Sequence, residues 1–234
     1  MPWDFALLIL LLGVFVPWRS LVRMRQLLRT PATTSQQRLI LYATTMVGQW
    51  LVAGIALWRA IARGIPARSL GLALNDPIPT IAAAAALCAG LGALQIYGLR
   101  HLARLPVEQQ GYAGVLARKL MPQNSVESLV FAALAATVAV CEEFLYRGFL
   151  LAALQPVLGK MILAVLASTL LFAIGHLYQG ARGVVSTFFL GLLFCALRIT
   201  TGSLVPCVVV HFGVDLVAGL AAPRLLSSVG IETP

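Results

Sequence analysis

The stretch VESLVFAALAATVAVCEEFLYRGFLLAAL, residues 126–154, decides how this chain is built. It is apolar for longer than the roughly 20 residues a helix needs to cross a bilayer. Yet Glu142, Glu143 and Arg147 interrupt it near its middle. An ionisable side chain inside a span costs a few kcal/mol, roughly 2.5–3.5 on insertion scales, so each of these needs a partner or a water-filled cavity.

Composition puts the whole chain in the same setting. Of its 234 residues 60% are hydrophobic and 11% charged, and the mean hydropathy is +0.91. That apolar content furnishes about seven spans of about 20 residues, with little left over. A separate soluble enzyme domain is thereby excluded, as are disorder, a collagen-like repeat and a disulfide-stapled fold. The four cysteines, Cys88, Cys141, Cys195 and Cys207, lie in or beside apolar stretches without a C-x-x-C pair, and are expected to be reduced packing residues. The formal charge is +9. Its first cluster, Arg19, Arg23, Arg25, Arg29 and Arg38, falls between two apolar runs, where membrane proteins collect positive charge on the cytoplasmic side. The basic balance therefore reports orientation in a bilayer and points away from nucleic acid as a partner.

Working outward from 126–154, hydropathy predicts an all-α polytopic transmembrane bundle of about seven to eight spans. Residues 1–99 hold N-terminal spans at about 3–16, 39–58 and 78–99. The first reads as a retained span, since Asp4 precedes it and the arginines follow Pro17-Trp18. In the third, Ala82, Ala86 and Gly90 form a small-residue stripe suited to close helix contact. Gly64-Ile65-Pro66 and Asn75-Asp76-Pro77 mark turns between the second and third. Residues 100–125 place Arg100, Arg104, Arg118 and Lys119 among leucines and alanines, the pattern of an interfacial amphipathic helix. Residues 126–222 form the core, with further spans at about 161–178, 184–200 and 204–222 and turns at Gly180, Gly183 and Gly202. Residues 223–234 are expected to be a cytoplasmic tail. With the N-terminus outside, eleven of the 17 basic residues fall in inner loops and five in outer ones, which supports that orientation.

The polar residues that a bilayer disfavours gather in the last four spans. Glu142, Glu143, His176, His211 and Asp215 all lie inside them. In CEEFLYRGF, residues 141–149, Glu143 and Arg147 stand at the spacing of an ion pair on one helix face. Glu142 points about 100° around the helix and is left free for other work. In FAIGH, residues 172–176, Phe172 and His176 share a face one turn apart. In HFGVD, residues 211–215, an imidazole and a carboxylate stand at i, i+4, where the acid can orient or charge the ring. Each cluster alone is compatible with simple helix packing, because a paired buried charge or a lone buried histidine is often structural. Taken together they converge on few chemistries. Water activation leads: a carboxylate in an apolar pocket acts as general base, and imidazoles position the water or stabilise an oxyanion. The same groups also suit a divalent metal such as zinc.

At these residues the sequence resembles the CPBP family of intramembrane proteases, which includes the CAAX prenyl proteases and bacteriocin-processing or immunity proteins. Three motifs match in order: E-E-x-x-x-R at Glu142, Glu143 and Arg147, F-x-x-x-H at Phe172 and His176, and H-x-x-x-N/D at His211 and Asp215. The resemblance covers about residues 106–220. It implies a helical membrane bundle around a water-filled cavity, and hydrolysis of a peptide bond in a membrane-associated protein or peptide. Glu142 would be the base that activates water and His176 would help to hold it. Glu143 and Arg147 would support the site, Phe172 would wall it, and His211 with Asp215 would stabilise the oxyanion. Asp215 stands where the best-known members carry asparagine. An ionised carboxylate only accepts hydrogen bonds, so it would act by keeping His211 a donor, by being protonated itself, or by joining a metal site. No H-E-x-x-H helix is present, which favours a mechanism requiring no cofactor. If zinc is used, Glu142, His176 and His211 are the candidate ligands.

Two further functions fit the same polar residues. A non-catalytic membrane scaffold or immunity protein would use them to bind a partner helix. A proton-coupled transporter would use them along an ion path, although the two similar halves and broken helices of such proteins are not visible in the sequence. The arginine-rich loops and absence of an organelle signal suggest a bacterial inner membrane, N-terminus outside and C-terminus cytoplasmic.

Overall fold

In lipid a backbone must satisfy its own hydrogen bonds within each segment, so apolar runs of this length fold as helices. The computed structural model describes residues 1–30, 32–73 and 77–226, and among these it contains helices and no strand. There are eight principal helices: α1 (Trp3–Arg29), α2 (Ser35–Ala62), α3 (Pro77–Ala103), α4 (Gly111–Lys119), α5 (Ser125–Leu158), α6 (Met161–Gly175), α7 (Gly180–Thr201) and α8 (Val205–Leu226). Six of these, α1, α2, α3, α5, α7 with the 3₁₀ turn before it, and α8, are long and apolar enough to cross a membrane. Trp3, Trp18, Trp50 and Trp58 all face outward, as expected of side chains that meet lipid and its interface. The chain is an integral membrane protein.

The expected fifth span, at about 161–178, is different in kind. At 15 residues, α6 rises only about 22 Å against a hydrocarbon core of about 30 Å. It is therefore too short to cross that core alone, and the turn into α7 places His176 beside Glu142 of α5.

Local chemistry explains other departures from the expected boundaries. The first helix does not end at residue 16 but continues to Arg29, because arginine is a good helix former and can snorkel from a helix leaving the bilayer. Pro17 sits inside it without an N–H to donate. The preceding Leu11–Phe15 turn is π-helical, with Val16 N–H reaching back to the Leu11 carbonyl, which widens the coil just before the proline. Residues 100–125 do not form one interfacial helix. α3 continues to Ala103, Pro106 breaks the chain, and only α4 remains, packed under α8. From its end Lys119 Nζ donates to the Leu27 carbonyl at 3.0 Å and the Leu28 carbonyl at 3.3 Å, closing the C-terminus of α1. The small-residue stripe also shifts: Ala82, Ala86 and Gly90 are exposed, and the next stripe, Ala84, Cys88 and Gly92, meets α8. There a Cβ on Gly213 would lie 2.0 Å from Cys88 Sγ, so only glycine admits this approach. Pro223 still belongs to α8. The rest of the expected tail, 227–234, and the Asn75-Asp76 turn lie outside the described residues.

The core gathers around the second half of α5. Residues 143–150 form an eight-residue π-helical segment in which every side chain is buried, packed by Phe5, Leu8 and Leu12 of α1, Ala53 and Ala56 of α2, and Val165 and Phe172 of α6. All four cysteines are free thiols.

Candidate active site

The charged motif lies at the entry to that π-helical segment, a feature often found at functional sites. Glu143 and Arg147 form the expected pair: Arg147 Nη1 donates to Glu143 Oε1 at 3.0 Å, and both side chains are wholly buried. The guanidinium lies over the Phe172 ring at 4.0 Å and faces Phe194 at 5.3 Å. Aromatic faces supply negative potential to a cation that water cannot reach. Gly191 of α7 makes the room, since a Cβ there would lie 3.1 Å from Arg147 Nη2 and 2.9 Å from Thr169 Cγ2.

Glu143 does more than pair with Arg147. His211 Nδ1 lies 2.7 Å from the same Oε1, so the ring on α8 is anchored to α5. A carboxylate only accepts, which puts the proton on Nδ1. The other nitrogen, Nε2, faces Asp215 Oδ2 at 3.5 Å. The imidazole thus has a carboxylate at each nitrogen, and its face stacks on Phe194 with centroids 5.4 Å apart.

His176 reaches its position through the end of α6. Its backbone N–H turns to the Ala173 carbonyl at 3.0 Å, tightening the last turn and leaving the Phe172 carbonyl without its usual helical donor. His176 Nδ1 occupies that place, 2.8 Å from the Phe172 oxygen. A carbonyl cannot donate, so Nδ1 carries hydrogen and neutral His176 presents a lone pair at Nε2. That nitrogen lies 4.0 Å from Glu142 Oε2. Phe172 packs beside the ring, with centroids 4.7 Å apart, and Tyr178 stacks on it at 5.9 Å.

Glu142 turns away from the Glu143–Arg147 pair, as its angle on the helix requires. Its Oε1 accepts from Gln49 Nε2 at 2.8 Å, while Oε2 is buried without a hydrogen-bond partner. Side-chain exposure grades across the site: Glu143 and Arg147 are at 0% and His211 at 7%, whereas Glu142 is at 14%, His176 at 16% and Asp215 at 34%. Exposure is thus lowest at the Glu143–Arg147 pair and rises toward Glu142, His176 and Asp215, while buried atoms without a hydrogen-bond partner occur in both regions, Glu142 Oε2 in one and Glu143 Oε2, Arg147 Nε and Arg147 Nη2 in the other.

The seven motif residues, spread over α5, α6 and α8, therefore meet in one place. Gln49 and Gly191 belong to the same place and were not singled out from the sequence. Gln49 had a signal, being the sole amide between residues 39 and 58; Gly191 had none, because its neighbours come from other helices. Among the described residues no group of three or more His, Cys, Asp or Glu side chains is arranged to hold a metal ion.

Residues 124–217 match the family model described as Type II CAAX prenyl endopeptidase Rce1-like. The matched stretch runs from the cap of α5 into α8 and contains every motif residue; α1–α4 lie before it. No curated protein and no solved structure matches the chain.

Proposed function

We propose, for a chain whose residues 124–217 match the family model of Type II CAAX prenyl endopeptidases, an intramembrane endopeptidase in which Glu142 activates water. The observation that carries this reading is the partnerless Oε2 of Glu142 facing the Nε2 lone pair of His176 across 4.0 Å. A water placed between them lies about 2.8 Å from each, the ordinary hydrogen-bond length, and donates one proton to each.

In the reaction the water oxygen attacks the scissile carbonyl carbon as its proton passes to Glu142 Oε2. The carbonyl oxygen becomes an oxyanion and accepts from Nε2–H of a doubly protonated His211, an imidazolium flanked by the Glu143 and Asp215 carboxylates. Glu143 holds the far side of that ring, and Asp215 Oδ2 lies 3.5 Å from Nε2. Collapse of the tetrahedral intermediate breaks the C–N bond, and Glu142 returns the proton to the departing amine nitrogen. Donors fixed before the charge develops are the largest single contribution such a site makes, and the buried Glu143–Arg147–Phe194 cluster holds the donor ring still. No step passes through a metal. The substrate is a membrane-associated protein or peptide, and the membrane a bacterial plasma membrane with the N-terminus outside.

The test is cleavage of a vesicle-tethered prenylated peptide by purified protein. Glu142→Gln keeps the shape and the Gln49 contact region but removes the base; activity should be lost. Cleavage by this variant at the wild-type rate would overturn the assignment.

A further inference from the structure

The family-matched segment begins at residue 124, yet the contact that orients the general base comes from outside it. We infer that Gln49, on α2, is a positioning residue for the reaction: its amide fixes the rotation of the Glu142 carboxylate so that one oxygen is presented to the water. The inference rests on the reading of Glu142 as base.

Three observations carry it. The terminal torsion of a glutamate is broad, so the backbone of α5 does not fix the plane of the carboxylate. Gln49 Nε2 does, by donating to Oε1 at 2.8 Å, and the other oxygen is the one without a partner, opposite His176. An amide is also the right donor chemically. It holds the carboxylate without adding a charge, whereas a lysine or arginine there would neutralise the base it orients.

The second helix is itself held in register against α5 at another level. Arg38 donates from Nε and Nη2 to the two oxygens of Glu127, at 2.7 and 3.0 Å, and Tyr42 Oη donates to the carbonyl of Leu120, in the connection that leads from α4 into α5, at 2.5 Å. A bidentate pair fixes geometry as well as energy. α2 and α5 run side by side, and the two bridges between them, Arg38–Glu127 near the helix starts and Gln49–Glu142 mid-span, set both axial position and rotation. The N-terminal helices outside the matched region thereby complete the catalytic group.

The experiment compares wild type, Gln49→Met, Gln49→His and Glu142→Gln as full chains in vesicles with the prenylated peptide, measuring kcat, KM and the unfolding midpoint. Met keeps the shape of Gln without its donor; His restores an N–H at similar reach. The expected result is a kcat about 10- to 100-fold lower for Gln49→Met, as for other residues that orient a reacting group, with KM within about twofold. Gln49→His should recover most of the loss, with an unchanged unfolding midpoint for both. A wild-type kcat for Gln49→Met, or equal losses in both Gln49 variants with intact folding, would overturn the inference while leaving Glu142 as base. Full activity of Glu142→Gln would instead overturn the reading beneath it.

Discussion

Replacing Gly191 by alanine should disable the site from a position that touches no substrate. The added Cβ would lie 2.9 Å from Thr169 Cγ2, 3.1 Å from Arg147 Nη2 and 3.4 Å from Phe172 Cδ1, against about 3.5–4.0 Å for comfortable contact. Thr169 is fully buried and stiff at χ1 because it is β-branched. Phe172 is wedged among Tyr146, His176 and Arg147. The guanidinium must therefore give most of the distance. A displacement of about 0.5 Å stretches its 3.0 Å bond to Glu143 to the edge of hydrogen bonding and drags the carboxylate that anchors His211. Overpacking costs about 1–3 kcal/mol, offset by about 1 kcal/mol from removing a glycine in a helix, so a net loss of about 0–2 kcal/mol is expected. The rate should fall further than that stability change implies, by about tenfold or more, because small misplacements of reacting groups are costly. Gly98→Ala, where a Cβ meets nothing within 4 Å, serves as the control and should leave cleavage unchanged. Peptide cleavage in vesicles and thermal unfolding in detergent measure both quantities. Wild-type kcat and stability for Gly191→Ala would refute the claim that Arg147 has no room to move.

Other outcomes follow from the same geometry. Glu143→Gln leaves the Arg147 charge buried without its counter-ion and weakens the anchor of His211, so unfolding in detergent should show a loss of about 3–5 kcal/mol; an unchanged midpoint would contradict the pairing. Arg38→Ala should destabilise by a similar amount, about 3–5 kcal/mol, by stranding Glu127, and proteolysis of the α1–α2 connection would report the loosened helix. Chelation should leave peptide cleavage intact in protein whose metal content has been measured, whereas loss on chelation restored by zinc would put a metal into the mechanism. Finally, Glu142→Gln combined with His176→Ala should abolish cleavage; a cell phenotype that survives this double substitution would mark the protein's role as binding without chemistry.

Much of the molecule was legible before its folding was seen. The all-helical bundle follows from runs of apolar residues, and the pairing of Glu143 with Arg147 from their spacing alone. What spacing could not reveal is where each ring nitrogen turns. His211 and Asp215 stand at i, i+4 and do face each other, at 3.5 Å, yet the shorter contact is from His211 to Glu143, 2.7 Å away and 68 positions earlier. His176 lies one turn beyond Phe172, but its tautomer is set by the end of α6, a boundary expected three residues later. The small-residue stripe of α3 illustrates the same limit: an alanine-rich helix offers several such faces, and the choice among them belongs to α8.

The division has a physical origin. Helical hydrogen bonds close within a segment, so in lipid each apolar run determines its own backbone; helices, their approximate ends and the i, i+4 neighbours are therefore properties of the sequence. Contacts between helices are settled by shape, by which glycine admits which neighbour and which polar group finds a partner. The sequence by itself determined that this is a membrane bundle carrying two glutamates, two histidines, an arginine and an aspartate in its last spans. Only the packing of α2, α6, α7 and α8 around α5 decided that one glutamate is sealed against arginine and histidine while the other meets an amide from α2 and faces His176.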